Sequence, residues 1–365
     1  MKYVSVTFNP SMEVSSPEAW FRRTEPYSGI LFCLAKNHAV INIKQIGYEG
    51  IYPHQGLEYH FVNFGKDTLF PRRLIRYVKN LEPDVVLVQG LHNPLQLIQL
   101  ARQLNDKVKI IVQHHAEKPF SGLKKYLQKF AGRYVDAYLF ASNEMGAEWI
   151  RNGNLSSAKK IHEVMEVSSV FSRMNKTQAR MKTGVSGEPV FLWVGRLNDN
   201  KDPMTVVNAF FKFAAQNPAV RLYMIYHTGE LLSQIKNLLQ KSPQKDNVVL
   251  VGKVPHYELL YWFNSADIIL SGSHYEGSGT AICEAMSCGC MPVVTDIASF
   301  RMITDNGKCG LLYSPGSEDA LLSALQQTTQ MNIAEKQQRS LQYFRSNLSF
   351  EAIAGRIEQV VASLS

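Results

Sequence analysis

The strongest constraint on this chain is an alternation that runs nearly from end to end. Short apolar, largely β-branched runs are each followed by a helical pattern: YVSVTF (3–8), DVVLVQG (84–90), VKIIVQHH (108–115), VFLWVG (190–195), NVVLVG (247–252) and MPVVTD (291–296). A run apolar at nearly every position is a strand covered on both faces, the habit of parallel sheets flanked by helices. Strands alternating with helices predict an α/β fold with helix-covered parallel sheets. At 365 residues the rhythm outgrows one core, so two Rossmann-like domains are expected. The break falls in the Gly/Ser-rich stretch before Pro189, giving a first domain over 1–170 and a second from 171 to 346. Two doubly wound domains facing each other place ligands beyond the C-terminal ends of their strands.

Local signals fill in the rest. A loop with Pro10, Pro17 and Pro26 leads to a helix near Ser28–Lys36. Between AVINI (39–43) and YHFVNF (59–64) the chain reads as a turn-rich, exposed connection. Asp202 as N-cap with Pro203 behind it opens the helix DPMTVVNAFFKFAAQ. MKYVSVTFNP reads as a first strand, and no run approaches the ~18 apolar residues of a membrane span, so a cytoplasmic protein is expected. Five cysteines without paired spacing, three of them at 283, 288 and 290, read as small buried residues; no metal site is expected.

Net charge is +8, and residues 1–170 carry 21 basic against 15 acidic side chains. The excess hints at an anionic surface or substrate, with no nucleic acid among the expected partners. SGLKKYLQKFAGRY (121–134) places Leu123, Tyr126, Leu127, Phe130 and Ala131 on one helical face and Lys124, Lys125, Lys129 and Arg133 on the rest. Such a helix either meets anionic lipid headgroups or an anionic acceptor, or is ordinarily amphipathic with a solvated basic face.

Two clusters carry chemistry. In ADIILSGSHYEGSGTAICEAMSCGCMP (266–292) a strand leads through a turn with Glu276, Gly277, Ser278 and Gly279 into a helix holding Thr280 and Glu284. Glycine lets backbone approach a ligand, and the helix start offers free N–H groups to a phosphate. A carboxylate on each side suits the hydroxyl groups of a sugar, so a nucleotide sugar is the ligand this stretch suggests. In VGRLNDNK (194–201), Arg196 and Lys201 follow a strand end and could clamp a diphosphate.

Together these clusters resemble the signature of family 4 glycosyltransferases: G-R-L-x-x-x-K, then about eighty residues later E-G-x-G-x-x-x-x-E-A-M-x-x-G-x-x-P-V. The resemblance covers the second half closely and the first loosely. It implies the GT-B fold, with residues 347–365 crossing back to pack on the first domain. It also implies retaining transfer of a hexosyl group from a UDP- or GDP-type donor, without a metal. The acceptor would be a glycan, a lipid-linked glycan or a small molecule, in polysaccharide or glycolipid synthesis. By the same resemblance, Arg196 and Lys201 bind the diphosphate and stabilise the leaving charge, and Glu276 takes the donor sugar. The backbone of Gly277, Ser278, Gly279 and Thr280 faces the phosphates, and Glu284 holds the ribose. Val254 in VGKVP lies near the base, and Gly29 matches the loop after the first strand. His115, rather than its neighbour His114, reaches the transferred sugar. The Asn-Gly that usually follows the interdomain strand is replaced by Glu166 and Val167.

Three other functions share some of these features. Gly277-x-Gly279 with Asp296 suggests an NAD-type oxidoreductase, but Ile282 stands where the third glycine belongs. A glycoside hydrolase needs carboxylates flanking the scissile bond at roughly 5–9.5 Å, and Glu276 and Glu284 sit on a turn and its own helix. An epimerase or a non-catalytic sugar-nucleotide binder of the same fold is the third.

Overall fold

The computed structural model describes residues 1–24, 28–65 and 68–364; Pro26 of the proline-rich loop lies outside them. The chain divides into two compact units, one of residues 1–168 with 350–365, the other of residues 169–349.

The first unit holds one sheet of eight strands: β1 (Lys2–Val6), β2 (Ala39–Gln45), β3 (Gly50–His54), β4 (Leu57–Val62), β5 (Val85–Gln89), β6 (Lys109–Gln113), β7 (Ala137–Phe140) and β8 (Ile161–Glu163). Their spatial order is β3-β4-β2-β1-β5-β6-β7-β8, parallel except for β3 against β4. That antiparallel pair corrects the expected open connection between 43 and 59. β3 is an edge strand with Ile51, Tyr52 and Pro53 exposed, so it carries no burial period to reveal it. The helix Phe350–Ser363 buries Ile353, Ala354, Ile357, Val360 and Val361 in this unit. The Phe350 ring occupies the place a side chain at residue 29 would need, 2.4 Å from that Cβ position. Gly29, at the start of the helix Gly29–Ala35, therefore has a packing reason of its own.

The second unit holds a fully parallel sheet: β9 (Val190–Gly195), β10 (Arg221–Tyr226), β11 (Val248–Gly252), β12 (Ile268–Ser271), β13 (Met291–Thr295) and β14 (Leu311–Tyr313). The order is β11-β10-β9-β12-β13-β14. Its core gathers Phe191, Trp193, Phe210 and Phe213 between β9 and the helix Pro203–Gln216. That helix starts as expected: Asp202 accepts a hydrogen bond from Thr205 N at 3.2 Å, and Pro203 follows. Winding leaves β9 in both directions, first to β10 and β11 and then to β12, β13 and β14. The reversal lies between β9 and β12, and ligands of open α/β sheets gather beyond the strand ends at that point.

The helix Gly122–Ala131 covers only one edge of its apolar face. It buries Gln128 and Ala131 and leaves Leu123, Tyr126 and Phe130 exposed, with Leu127 half-buried. Among the described residues no helix is long and apolar enough to cross a membrane, and no group of three or more His, Cys, Asp or Glu is placed to hold a metal. All five cysteines are free, and burial pushes their thiols up, Cys309 to about 11.

Candidate functional site

The β9–β12 reversal brings the two sequence clusters together. After β9 the loop is pinned by Leu197, fully buried, whose N–H donates to Thr228 O at 3.1 Å. Asn198 caps the turn Asp199–Lys201 through its side chain to Lys201 N at 3.1 Å. The loop after β12 closes on it: His274 N donates to Asn200 O at 2.8 Å, and Asn200 Nδ2 donates to Tyr275 O at 3.0 Å. Gly272 permits this approach, because a Cβ there would sit 2.9 Å from the Asp202 carbonyl oxygen. Thr295 Oγ1, buried on β13, donates to Ser273 O at 2.5 Å and fixes the second loop from behind.

Lys201 and Glu276 thereby meet as an ion pair, their side chains 25% and 15% exposed. Ser273 Oγ also donates to Glu276 Oε1, at 2.6 Å. Arg196 stands exposed at the same strand end, and its guanidinium makes no hydrogen bond or ion pair among the described residues. One cation is thus held by a carboxylate and the other is available to an anion.

The helix Thr280–Ser287 starts from Gly279, which adopts φ +60°. Any side chain there would combine an unfavourable backbone with contacts of 2.8 Å to Phe300 and 2.9 Å to Ile303. Among the described residues the N–H groups of Ser278, Gly279 and Thr280 make no hydrogen bond, and they sit at the positive end of the helix. That is the form of an anion site.

Glu284 lies one turn into this helix, its side chain 7% exposed, and its Oε1 contacts His256 Nε2 at 2.7 Å. The Glu284 hydrogen bond, against the opposing effect of burial, holds His256 above its ordinary value. The Phe171 ring lies 5.0 Å from the His256 ring. Val254 is half-buried in the connection after β11, two residues before His256. His256 and Phe171 escaped the sequence reading. The only trace was a polar residue following Pro255 at a strand end.

In the first unit the structure separates the two adjacent histidines. His114 is buried, its ring 4.7 Å from Phe140 and 5.9 Å from Trp149, and belongs to the core. His115 is the exposed one, at the C-terminal end of β6. Its Nδ1 meets the Glu166 carboxylate, and its Nε2 donates to Gln89 Oε1 at 2.7 Å. Gln89 Nε2 donates in turn to Ser5 Oγ at 3.2 Å, which fixes the amide so that its oxygen faces the ring. With acceptors at both nitrogens the ring suits the doubly protonated form. Burial lowers its proton affinity, but the Glu166 hydrogen bond and the charges of Glu166 and Glu117 outweigh burial and the Lys44 cation and raise it. Lys44, at the end of β2, has its ammonium 5.5 Å from the Trp20 ring centroid, and burial brings its pKa down to about 8.

The residue that departs from the family signature, Glu166, is thus the partner of His115. Replacing Glu166 with Gln removes the carboxylate and leaves burial and the Lys44 cation opposed only by the Glu117 charge. The His115 titration midpoint is then expected to fall relative to the parent's, as read from its ring proton resonances. An unmoved midpoint would assign the raised affinity to another group.

The oxidoreductase reading loses its acid at this stage. Asp296 Oδ1 accepts from Arg301 Nε at 2.6 Å, and Ile282 is packed at 3% exposure inside the helix. Glu276 and Glu284 are each committed to a separate basic partner, and nothing pairs them across one bond.

Comparison with known proteins agrees with this geometry. Residues 175–345 match the family described as glycosyl transferases group 1. A D-inositol 3-phosphate glycosyltransferase from Arthrobacter sp. (strain FB24) is 28% identical over 148 residues, 40% of this chain and 35% of that protein. A mannosylfructose-phosphate synthase from Agrobacterium fabrum is 27% identical over 158 residues, 41% of this chain and 34% of that protein. The match thus spans about a third of the length of these relatives. Anabaena HepE, solved in complex with UDP, shares the fold over 100% of both chains at TM-score 0.72 and 14% identity. A sucrose-phosphate synthase from Thermosynechococcus elongatus does so over 100% of this chain and 98% of its own, at TM-score 0.71 and 16% identity. Both sequence clusters lie inside the region that matches the glycosyl transferases group 1 family, residues 175–345, and the chain shares its fold with these solved proteins.

Proposed function

We propose that this protein transfers a hexosyl group from a nucleoside diphosphate sugar to an acceptor hydroxyl, with retention of anomeric configuration. The observation that carries the reading is the set of groups at the β9–β12 reversal. A free guanidinium at Arg196, the Lys201–Glu276 pair, unbonded N–H groups at 278–280 and the buried Glu284 lie on the two adjoining loops, and the helix after the second, that follow the central strands β9 and β12. The cations and the helix N-terminus suit the diphosphate, Glu276 the sugar hydroxyls, and Glu284 the ribose.

In the step proposed, the bond from the sugar anomeric carbon to the diphosphate breaks, and its electron pair goes to the phosphate oxygen. The acceptor oxygen forms the new bond on the same face, and its proton passes to the departing diphosphate. Preorganised cations stabilise the charge that develops there. This scheme asks for no side-chain nucleophile and no metal, since Arg196, Lys201 and the helix end supply the neutralising charge. HepE was solved with UDP, which makes UDP sugars the first donors to test. Glycans, lipid-linked glycans and small phosphorylated molecules are the acceptor classes. Both named relatives carry a phosphorylated compound in their names, and with the cations Lys44 and His115 this favours an acceptor bearing negative charge.

The test is a thermal-shift panel of UDP, GDP, ADP and dTDP with their sugars, repeated with a chelator. A true ligand at a hundred times its Kd adds about 2.7 kcal/mol of stability. One nucleotide series should stabilise with the chelator present, followed by turnover of its sugar to a product of unchanged anomeric configuration. Stabilisation by NAD(H) alone, or an inverted product, would overturn the reading.

A further inference from the structure

The helix Gly122–Ala131 presents its apolar stripe to the outside. Leu123, Tyr126 and Phe130 follow the i, i+3, i+7 spacing of one helical face and are 87%, 64% and 38% exposed. The helix packs through one edge, where Gln128 and Ala131 are buried and Leu127 half-buried, and the helix Pro94–Ala101 is its neighbour. A second apolar pair, Leu69 and Phe70, is exposed on a loop tied to that neighbouring helix. Gln96 Nε2 donates to Thr68 O at 2.7 Å, and Gln99 Nε2 donates to Leu69 O at 3.2 Å.

The charge around the stripe has one sign. From Lys118 to Val135 the chain carries Lys118, Lys124, Lys125, Lys129 and Arg133 and no acidic residue. The long cations lie along the aromatic rings: Lys125 Nζ is 5.5 Å from the Tyr126 centroid, and the Arg133 guanidinium is 5.1 Å from that of Phe130. An exposed Leu–Tyr–Phe stripe costs solubility and contributes nothing to the core, so its burial elsewhere is the favourable state.

We propose that this face docks on the headgroup layer of an anionic membrane. Leu123 and the two aromatic rings would enter the boundary between headgroups and acyl chains, with Tyr126 at headgroup level. The lysines and Arg133 would reach back to lipid phosphates along their own stems. A second copy of this chain fits poorly, because a twofold contact would bring the same cations face to face. The helix begins in the connection that leaves β6 at His115, so docking would hold the proposed acceptor side of the first unit close to the lipid surface. The binding itself does not depend on the transferase reading.

The test uses the full chain in co-sedimentation with vesicles of phosphatidylcholine alone and of equimolar phosphatidylcholine and phosphatidylglycerol, at low and physiological salt. Binding is expected only to the second. Lys124→Gln/Lys129→Gln/Arg133→Gln should weaken it by about a hundredfold, at roughly fivefold per charge. Leu123→Asn/Tyr126→Asn should abolish the part that survives physiological salt. These positions are exposed, and unchanged far-UV circular dichroism confirms that the variants fold. Equal binding to both vesicles, no binding to either, or variants that bind like the parent would overturn the proposal. So would a dimer that Leu123→Asn/Tyr126→Asn converts to monomer, which would assign the face to a second copy.

Discussion

Replacing Lys201 with alanine is expected to lower turnover of the nucleotide sugar by about 10²–10³-fold while leaving the fold intact. The magnitude is that of removing one preorganised group that stabilises developing charge. Lys201 is a strong candidate because its position is over-determined. Asn198 caps its backbone, the β12 loop is zipped to its own, and Glu276 holds its ammonium. An ammonium fixed before the substrate arrives needs no reorganisation when the diphosphate departs. The alternative is that Lys201 and Glu276 form only a structural pair. In that case the variant would lose melting temperature, and activity per folded molecule would stay near the parent's. Turnover and thermal unfolding measured on the same preparation separate the two, and unchanged turnover would remove Lys201 from the site. Arg196→Ala should also slow turnover without lowering stability, since its guanidinium holds no partner among the described residues.

The second large effect concerns Glu284 and depends on pH. Glu284→Gln is expected to weaken nucleotide binding by roughly 10–150-fold, the range for losing a charge-assisted hydrogen bond of about 1.5–3 kcal/mol. In the parent protein the same carboxylate is bonded to His256, which would compete with ribose hydroxyls for it under the proposed function. Glu284 raises the His256 pKa above its ordinary value, so the pair contributes its full stability below that value. The contribution is lost as pH rises through the raised one. Nucleotide binding should follow the opposite course, tightening as His256 gives up its proton and releases Glu284. Isothermal titration of the nucleotide across this range should show affinity increasing with pH and a proton released on binding. His256→Phe should flatten the dependence. A pH-independent affinity in the parent would mean that His256 and the ribose do not share this carboxylate.

Much of the second unit was legible from residues alone. VFLWVG and MPVVTD are largely buried strands, as short apolar runs bounded by turns suggest, whereas NVVLVG forms the edge strand β11, which buries Val248 and exposes Val249. Gly279 was legible because its backbone demand, φ +60°, removes nearly every other residue type. Failures occurred where burial leaves no period to read. β3 exposes Ile51 and Tyr52 and is held by backbone hydrogen bonds to β4, which any sequence can make. The helix 122–131 has an apolar face by spacing, but only its Ala131 edge is buried, together with the polar Gln128. Periodicity shows that a face exists. Which face is covered depends on its neighbours.

The sequence by itself determined the fold class and picked out the two loop clusters that the structure brings together, because each rests on local chemistry: strand burial, turn conformation, cation and carboxylate at fixed spacing. Only the tertiary structure decided the partners. Lys201 is joined to Glu276 across 75 positions, His256 to Glu284 across 28, and His115 to Glu166 across the end of a sheet. These pairs depend on which strands lie side by side. β9 adjoins β12 because the winding reverses there, a property of the whole sheet that no local run of residues encodes.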